Sequence, residues 1–392
     1  MERSDGETEA FGRDFRVCLW ATFMIQSFQS MFFMYPQVLH VQGFSLAVSG
    51  WLMSAFNLAS TASRPVAGRL VERAGFRNTL VAACLGLTAF TIPLLFARSG
   101  IALFVLRLGM GFFWGVAMVG VSSYQSLAVP PERRGSAFAL VSMAYVLPQL
   151  TLFVLVERFI SLGYVQLFVA SVIVVDLLAA WLSLSFRGDL RTGKGEARVW
   201  GAWSDLPKVP GFWVLLGTIL CWSVVNSSIL QYLPMLAASR GCNASAFIAV
   251  NAAMSLVVRL LFAQAMNHMD RRIMLCGALT LMGGMTLLLL VARTNAWFIA
   301  IGVIYGFGMG FGFPAMLALM PDIFPEHLRP KGVSVSFFAL DLGFIVSPFL
   351  VGFGGQLFGL DATFALIGVT GAVTVATLYF RGWRKIGAVS SV

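Results

Sequence analysis

Charged side chains are scarce in this chain: 11% of its 392 residues are Asp, Glu, Lys or Arg, where a soluble domain carries roughly 25%. That deficit excludes a water-facing surface over most of the length and points to lipid. Cysteine is scarce as well. The five residues Cys18, Cys84, Cys221, Cys242 and Cys276 are odd in number and show no CxxC spacing, so neither a disulfide framework nor a thiolate metal site is expected. Three histidines (His40, His268, His327) stand far apart and form no ligand cluster. No Gly-x-Ser-x-Gly elbow, phosphate-binding glycine loop or HExxH pattern occurs, so the chain reads as a non-enzyme with no cofactor. Alternation over ~10 residues, the mark of an outer-membrane barrel strand, is missing too. The acidic start (Glu2, Asp5, Glu7, Glu9) lacks the basic leader of a cleavable secretion signal.

Apolar residues fill the space that charge leaves: 58% of the chain is hydrophobic, and its mean hydropathy is +0.84. Apolar stretches of about 20 residues recur, each long enough to cross a ~30 Å hydrocarbon layer as a helix. The expected spans are 15–39, 46–67, 78–97, 101–124, 136–157 and 164–186, then 212–236, 245–266, 273–292, 296–319, 332–358 and 361–380. The expected fold is an all-α membrane protein of twelve transmembrane helices.

The net charge of +10 suggests a nucleic-acid partner until the positions of the cations are considered. Arg69, Arg73 and Arg77 share one loop, Arg133 and Arg134 another, Arg271 and Arg272 a third, and Arg329 and Lys331 a fourth. The central stretch adds Arg187, Arg191, Lys194, Arg198 and Lys208, the N-tail Arg3, Arg13 and Arg16, and the C-tail Arg381, Arg384 and Lys385. The alternate loops hold only Arg98, Arg158, Arg240 and Arg293. This asymmetry is the positive-inside pattern, and it places both termini in the cytoplasm, with the chain in the cytoplasmic (inner) membrane.

The only long polar stretch, 187–210, contains Gly188, Gly193, Gly195, Pro207 and Pro210 among its charges and reads as a flexible linker. It divides the chain into an N-tail (1–14), a six-helix bundle (15–186), the linker, a second six-helix bundle (211–380) and a C-tail (381–392). The two bundles echo each other. Asn57, Thr61 and Arg64 recur as Asn251, Ser255 and Arg259; Gly109-Met110-Gly111-Phe112 recurs as Gly308-Met309-Gly310-Phe311. Pro131-Glu132 with Arg134-Gly135 recurs as Pro325-Glu326 with Lys331-Gly332.

Between the second and third spans the chain reads Arg64-Pro-Val-Ala-Gly-Arg-Leu-Val-Glu-Arg-Ala-Gly-Phe-Arg77. Charges this dense cannot stay in hydrocarbon, so the segment must turn at a membrane surface. Gly68, Glu72, Arg73, Gly75 and Arg77 fit the order glycine, three residues, acid, base, any residue, glycine, any residue, base. This resembles the cytoplasmic signature of the major facilitator superfamily, with Glu72 where that family more often has Asp. The resemblance extends over nearly the whole chain. It implies two pseudo-symmetric six-helix bundles with a substrate site between them at mid-membrane, worked by alternating access. It also implies that Glu72 latches the cytoplasmic side, where a helix N-terminus favours an anion.

An ionised group at mid-membrane costs about 2.5–3.5 kcal/mol and so calls for a reason. Arg107, followed by Gly111 and Gly115, matches the family's fourth-span signature, which implies a cavity-facing arginine; the alternative is a packing role against the carbonyls of span 1. Asp341 is the most central acid of the second half, a candidate for proton coupling or for a fixed helix-locking pair. Arg259 shares a helical face with Asn251 and Ser255 and is a candidate anion-binding group. Arg64 is expected to reach back to the interface, and Asp176 to be structural. Gln26, Ser30, Phe33 and Gln37 form a polar stripe in span 1, and Ser223, Ser227 and Gln231, with Asn226 beside them, form one in span 7. Trp114, Tyr124, Trp222 and Tyr305 are candidates for packing a flat or apolar solute. Late in span 5, Tyr145-Val146-Leu147-Pro148-Gln149 has the proline but not the glycines of drug/proton antiporters.

The expected function is secondary transport of a small organic solute, with a lean toward an organic anion, coupled to protons. The expected partners are the solute, the proton and the lipid bilayer, with the chain acting as a monomer. Two alternatives stay open: export of hydrophobic or cationic compounds, and a non-transporting membrane sensor on the same fold.

Overall fold

The computed structural model describes residues 12–128, 134–186, 202–266, 268–325 and 327–386. Most of the expected N-tail, the first part of the linker, the loop holding Arg133, and the end of the C-tail lie outside those residues. Among the described residues every regular element is helical. The first half comprises α1 (Arg13–Phe32), α2 (Tyr35–Val41), α3 (Leu46–Thr91), α4 (Gly100–Ala128), α5 (Arg134–Leu150), α6 (Leu152–Ser161) and α7 (Val165–Leu184). The second half comprises α8 (Phe212–Ala238), α9 (Ala244–Met266), α10 (Arg271–Leu288), α11 (Asn295–Asp322), α12 (Arg329–Phe358) and α13 (Leu360–Leu378).

Local chemistry explains the breaks. Pro36 has no N–H for the carbonyl of Phe32, so the chain tightens between α1 and α2: Phe33 N bonds Ser30 O at 3.4 Å and Met34 N bonds Met31 O at 3.1 Å. The expected turn between spans 2 and 3 is compressed to a single residue inside α3. Gly75 takes φ +77°, ψ 167°, a left-handed φ that side-chain-bearing residues resist. The fifth span is divided at Thr151, just beyond Pro148.

Eleven helical stretches among the described residues are long and apolar enough to cross a membrane. The remaining expected span, 46–67, is helical within α3 but carries Ser49, Ser54, Asn57, Ser60, Thr61, Ser63 and Arg64, which lower its hydropathy. Lipid-facing side chains such as Trp20, Trp181, Leu260, Leu261 and Leu357 are largely exposed, as helices bathed in hydrocarbon require.

The chain forms two compact units. Unit 1 comprises Met1–Val38 and Ala55–Gly195; unit 2 comprises Leu39–Ser54 and Glu196–Val392. This division differs from a simple cut at the linker by one segment, the start of α3. Within unit 2 that segment is tied to α12. Ser54 Oγ donates to Ile345 O at 2.7 Å, the Ala47 amide donates to Gln356 Oε1 at 3.2 Å, and Trp51 meets Phe349 edge-on at 4.6 Å.

Within unit 1, α1 packs on α5 and α7; within unit 2, α8 packs on α12 and α13. The first helix of each half thus takes the same partners, the fifth and sixth spans, as an internal repeat predicts. The linker is less plain than expected: Trp203–Lys208 forms a 3-10 helix with Leu206 buried, and Lys331 Nζ lies 5.2 Å from the Trp203 ring centre.

Candidate functional site

In unit 1 the sharpest feature is Arg107 on α4. Its side chain is enclosed, with 1% of the residue exposed. The guanidinium carbon lies 4.4 Å from the Phe56 ring centre, 4.7 Å from Phe32 and 5.3 Å from Tyr35. The tightened turn before Pro36 sets Phe32 and Tyr35 together, their centres 5.2 Å apart, so both rings face the cation. A desolvated cation–π contact is worth about 2 kcal/mol, enough for a few rings to offset most of the cost of placing a guanidinium among apolar helices. Composition gives no hint of this three-ring cage. Pro36 was the only local signal, and it could not say which rings would meet.

The neighbouring candidates divide between polar contact and core. Trp114 is half-buried; its indole N–H donates to Ile25 O at 3.2 Å and its ring lies 5.6 Å from Phe56, beside the cage. Gln26 is half-buried, within hydrogen-bonding reach of Tyr145, which also reaches Ser122. Tyr124 lies between Phe76 (5.5 Å) and Phe186 (5.0 Å) within the apolar core of unit 1. Asp176, 1% exposed, meets Thr91 Oγ1 at 3.1 Å across the third and sixth spans, as a structural carboxyl would.

In unit 2 the candidates fall on α8, α9, α11 and α12. Arg259 is half-buried on α9, its guanidinium carbon 5.6 Å from the Phe313 ring centre on α11. It has no ion-pair or hydrogen-bond partner among the described residues, and its Nε is enclosed. Two turns away on the same helix, Asn251 is buried with its side-chain carbonyl unpartnered. Asn226 and Gln231 on α8 and the Tyr305 hydroxyl on α11 likewise hold buried polar atoms without partners among the described residues. Gln231 Nε2 does reach Ser227 Oγ, at 2.5 Å. Asp341 is half-buried near the middle of α12. Trp222, by contrast, is core, packed over Gly312.

Asn251 and Tyr305 are brought together by a close helix crossing. A methyl group built at Gly306 would stand 2.6 Å from Asn251 O and 2.9 Å from Asn251 Cα, so only glycine lets α11 approach α9 this closely. The first half repeats the device at Gly111, where an added carbon would stand 2.1 Å from Phe56 O.

The signature segment is helical up to Gly75, with Arg73 and Arg77 exposed and Gly68 half-buried; the Glu72 side chain lies outside the described part. Arg64 is exposed.

At one end of unit 2, Arg240 gathers three loops. Its Nη1 donates to Leu289 O at 2.5 Å and Ala292 O at 2.6 Å, and its Nη2 bonds Asp361 at 2.5 Å. At the other end Arg271 pairs with Asp322, and Asp270 caps α10, accepting from the Arg272 amide at 2.9 Å.

These enclosed polar groups and arginines sit in an all-helical membrane fold whose family is shown by its likeness to known proteins. The model of the Major Facilitator Superfamily matches residues 17–275 and 248–387. An uncharacterized MFS-type transporter of Burkholderia pseudomallei (strain 1106a) is 27% identical over 374 residues, 88% of this chain and 86% of that one. One from Burkholderia mallei (strain SAVP1) is 28% identical over 378 residues, again 88% and 86%. Among solved structures, the inward-open xylose transporter XylE of E. coli superposes with a TM-score of 0.71 at 14% identity, over 93% of this chain and 94% of that one. A peptide transporter, POT, superposes with a TM-score of 0.75 at 16% identity, over 96% and 94%. At such identities the two structures speak for the fold alone, while the family match spans nearly the full length. The chain belongs to the Major Facilitator Superfamily of membrane transporters.

Proposed function

We propose that this secondary transporter moves a small organic anion by alternating access, coupled to protons, with both termini cytoplasmic in the inner membrane and the chain acting as a monomer. The observation that carries the reading is Arg259: a guanidinium among transmembrane helices with no acid beside it among the described residues. A cation so placed calls for a counter-anion, and a substrate carboxylate supplies one in the bidentate geometry that guanidinium favours. Asn251, Asn226, Gln231 and Tyr305 offer amide and hydroxyl groups to the remaining polar atoms of the solute. Asp341, the central acid of the same unit, is the proposed proton carrier. Glu72 is the proposed cytoplasmic latch.

A second reading, export of hydrophobic or cationic compounds, draws on the aromatic surface of Phe32, Tyr35 and Phe56, which already holds one cation. Proteoliposome flux separates the two. Carboxylates and lipophilic cations are offered in parallel at two internal pH values. The proposal expects carboxylate uptake that rises with the proton gradient, Arg259→Gln lowering affinity for it, and Asp341→Asn abolishing gradient-driven accumulation while exchange persists. Uptake of cations alone, or a pH dependence unchanged in Asp341→Asn, refutes it.

A further inference from the structure

Beyond α13 the chain does not trail away from unit 2. It makes a π-helical turn, Tyr379–Trp383, and is then fastened at several points. Trp383 is 1% exposed, and its indole N–H donates to Thr218 Oγ1 on α8 at 3.1 Å. The amides of Lys385 and Ile386 close on Gly382 O at 3.0 and 3.3 Å. Arg272 Nη1 donates to Ile386 O at 2.7 Å, while its Nη2 holds Asp270 Oδ2 at 2.7 Å.

This fixed segment presents Arg381, Arg384 and Lys385, all exposed. Their i, i+3, i+4 spacing gathers them on one side of a helical turn. None of the three has an acid partner among the described residues. The nearby acids are engaged elsewhere, Asp270 by Arg272 and Asp322 by Arg271. Flanking the cations are two exposed rings, Phe380 at 60% and Trp213 at 67%; the residue after Trp213, Val214, packs on Gly382. Aromatic rings at the end of a membrane-crossing helix settle at headgroup depth, which puts the three cations at the level of lipid phosphates.

We propose that Arg381, Arg384 and Lys385 form a binding site for the phosphate headgroup of an acidic phospholipid, with Phe380 and Trp213 resting in the adjoining acyl boundary. A basic tail that acted only as a topology signal would need no such anchoring. Here Trp383 and Arg272 fasten the backbone that carries the cations, and guanidinium groups bind phosphate through several donors at once. Each cation near an anionic surface contributes on the order of 1 kcal/mol, so three together make about a 100-fold difference in affinity.

The test uses the full chain in phosphatidylcholine nanodiscs titrated with phosphatidylglycerol, and native mass spectrometry to count retained lipid. The expected result is selective retention of phosphatidylglycerol, weakened about 100-fold in Arg381→Gln/Arg384→Gln/Lys385→Gln and preserved in Arg381→Lys/Arg384→Lys/Lys385→Arg. Equal retention by the neutral variant overturns the site. Displacement of the lipid by inorganic phosphate at the same phosphate concentration overturns the lipid assignment in favour of a free anion. If the neutral variant cannot be purified, salt dependence of the native chain decides. Weaker phosphatidylglycerol binding on going from about 0.05 to about 0.5 M salt supports the site, and a salt-independent affinity refutes it.

Discussion

Replacing Gly306 with alanine tests whether the α9–α11 crossing holds Asn251 and Tyr305 in place. The new carbon would stand 2.6 Å from Asn251 O, 2.9 Å from Asn251 Cα and 2.9 Å from Met254 Cβ. Comfortable contact lies at about 3.5–4.0 Å, so the two helices must part by about 1 Å. They cannot slide to relieve the strain, because Gly302 sits against Phe247 O and Gly310 against Val258 along the same stripe. Overpacking of this kind costs about 1–3 kcal/mol, partly offset by the ~1 kcal/mol that alanine gains over glycine in a helix. The net expectation is a loss of up to about 2 kcal/mol. Gly277→Ala is the control: nothing lies within 4 Å of that position, so only the helix-propensity gain remains. The assay is the thermal unfolding midpoint in one detergent at one scan rate, with uptake measured in parallel. The expected order of midpoints is Gly277→Ala at or above the native chain and Gly306→Ala below it, with substrate affinity reduced only in the latter. A Gly306→Ala protein as stable and as active as the native chain would refute the crossing argument.

Other consequences are open to measurement. Phe56→Leu removes the ring closest to Arg107; a double-mutant cycle with Arg107→Leu should give a coupling of about 1–2 kcal/mol, and additive effects would dismiss the cage. Arg240→Lys cannot reach Leu289 O, Ala292 O and Asp361 together, and should cost about 2–4 kcal/mol, read as a lower midpoint and faster amide exchange in residues 289–293. Asp270 is held below its ordinary value of 3.8, chiefly by the hydrogen bond from Arg272. A depressed folded-state value stabilises above the unfolded one and is lost as pH falls through the folded one. Asp270→Asn should therefore lower the midpoint at neutral pH, with the difference closing only below pH 3.8; a gap that closes between pH 5 and 7 would contradict the assignment.

The architecture was legible because its signals are local. Runs of about 20 apolar residues mark spans whatever they pack against, and the charges of 64–77 mark a turn, though not that Gly75 alone would make it. Even the one span that falls short on hydropathy shows why in its serines. What could not be read is which face of each helix meets which neighbour. A helix apolar all round gives no orientation, and for that reason Tyr124 and Trp222, flagged for aromatic character, lie in the packed cores. Arg107 was legible as an intramembrane cation, but its cage joins residues of three different spans. Leu39–Ser54 grouped with unit 2 because Ser54, Ala47 and Trp51 bond and pack on α12, partners nearly the whole chain away.

The repeat itself carries a further lesson in where it fails. The offset that lays Gly109-Met110-Gly111-Phe112 over Gly308-Met309-Gly310-Phe311 carries Arg107 onto Gly306. In the first half that position holds an arginine ringed by Phe32, Tyr35 and Phe56; in the second it is bare backbone pressed on Asn251. The second half has its cation two spans earlier instead, at Arg259 on α9, whose counterpart Arg64 is exposed. Close approach at Gly306 leaves no volume for a guanidinium at that position. The halves thus share a helix-packing plan while placing their intramembrane cations, buried Arg107 and half-buried Arg259, at non-equivalent positions.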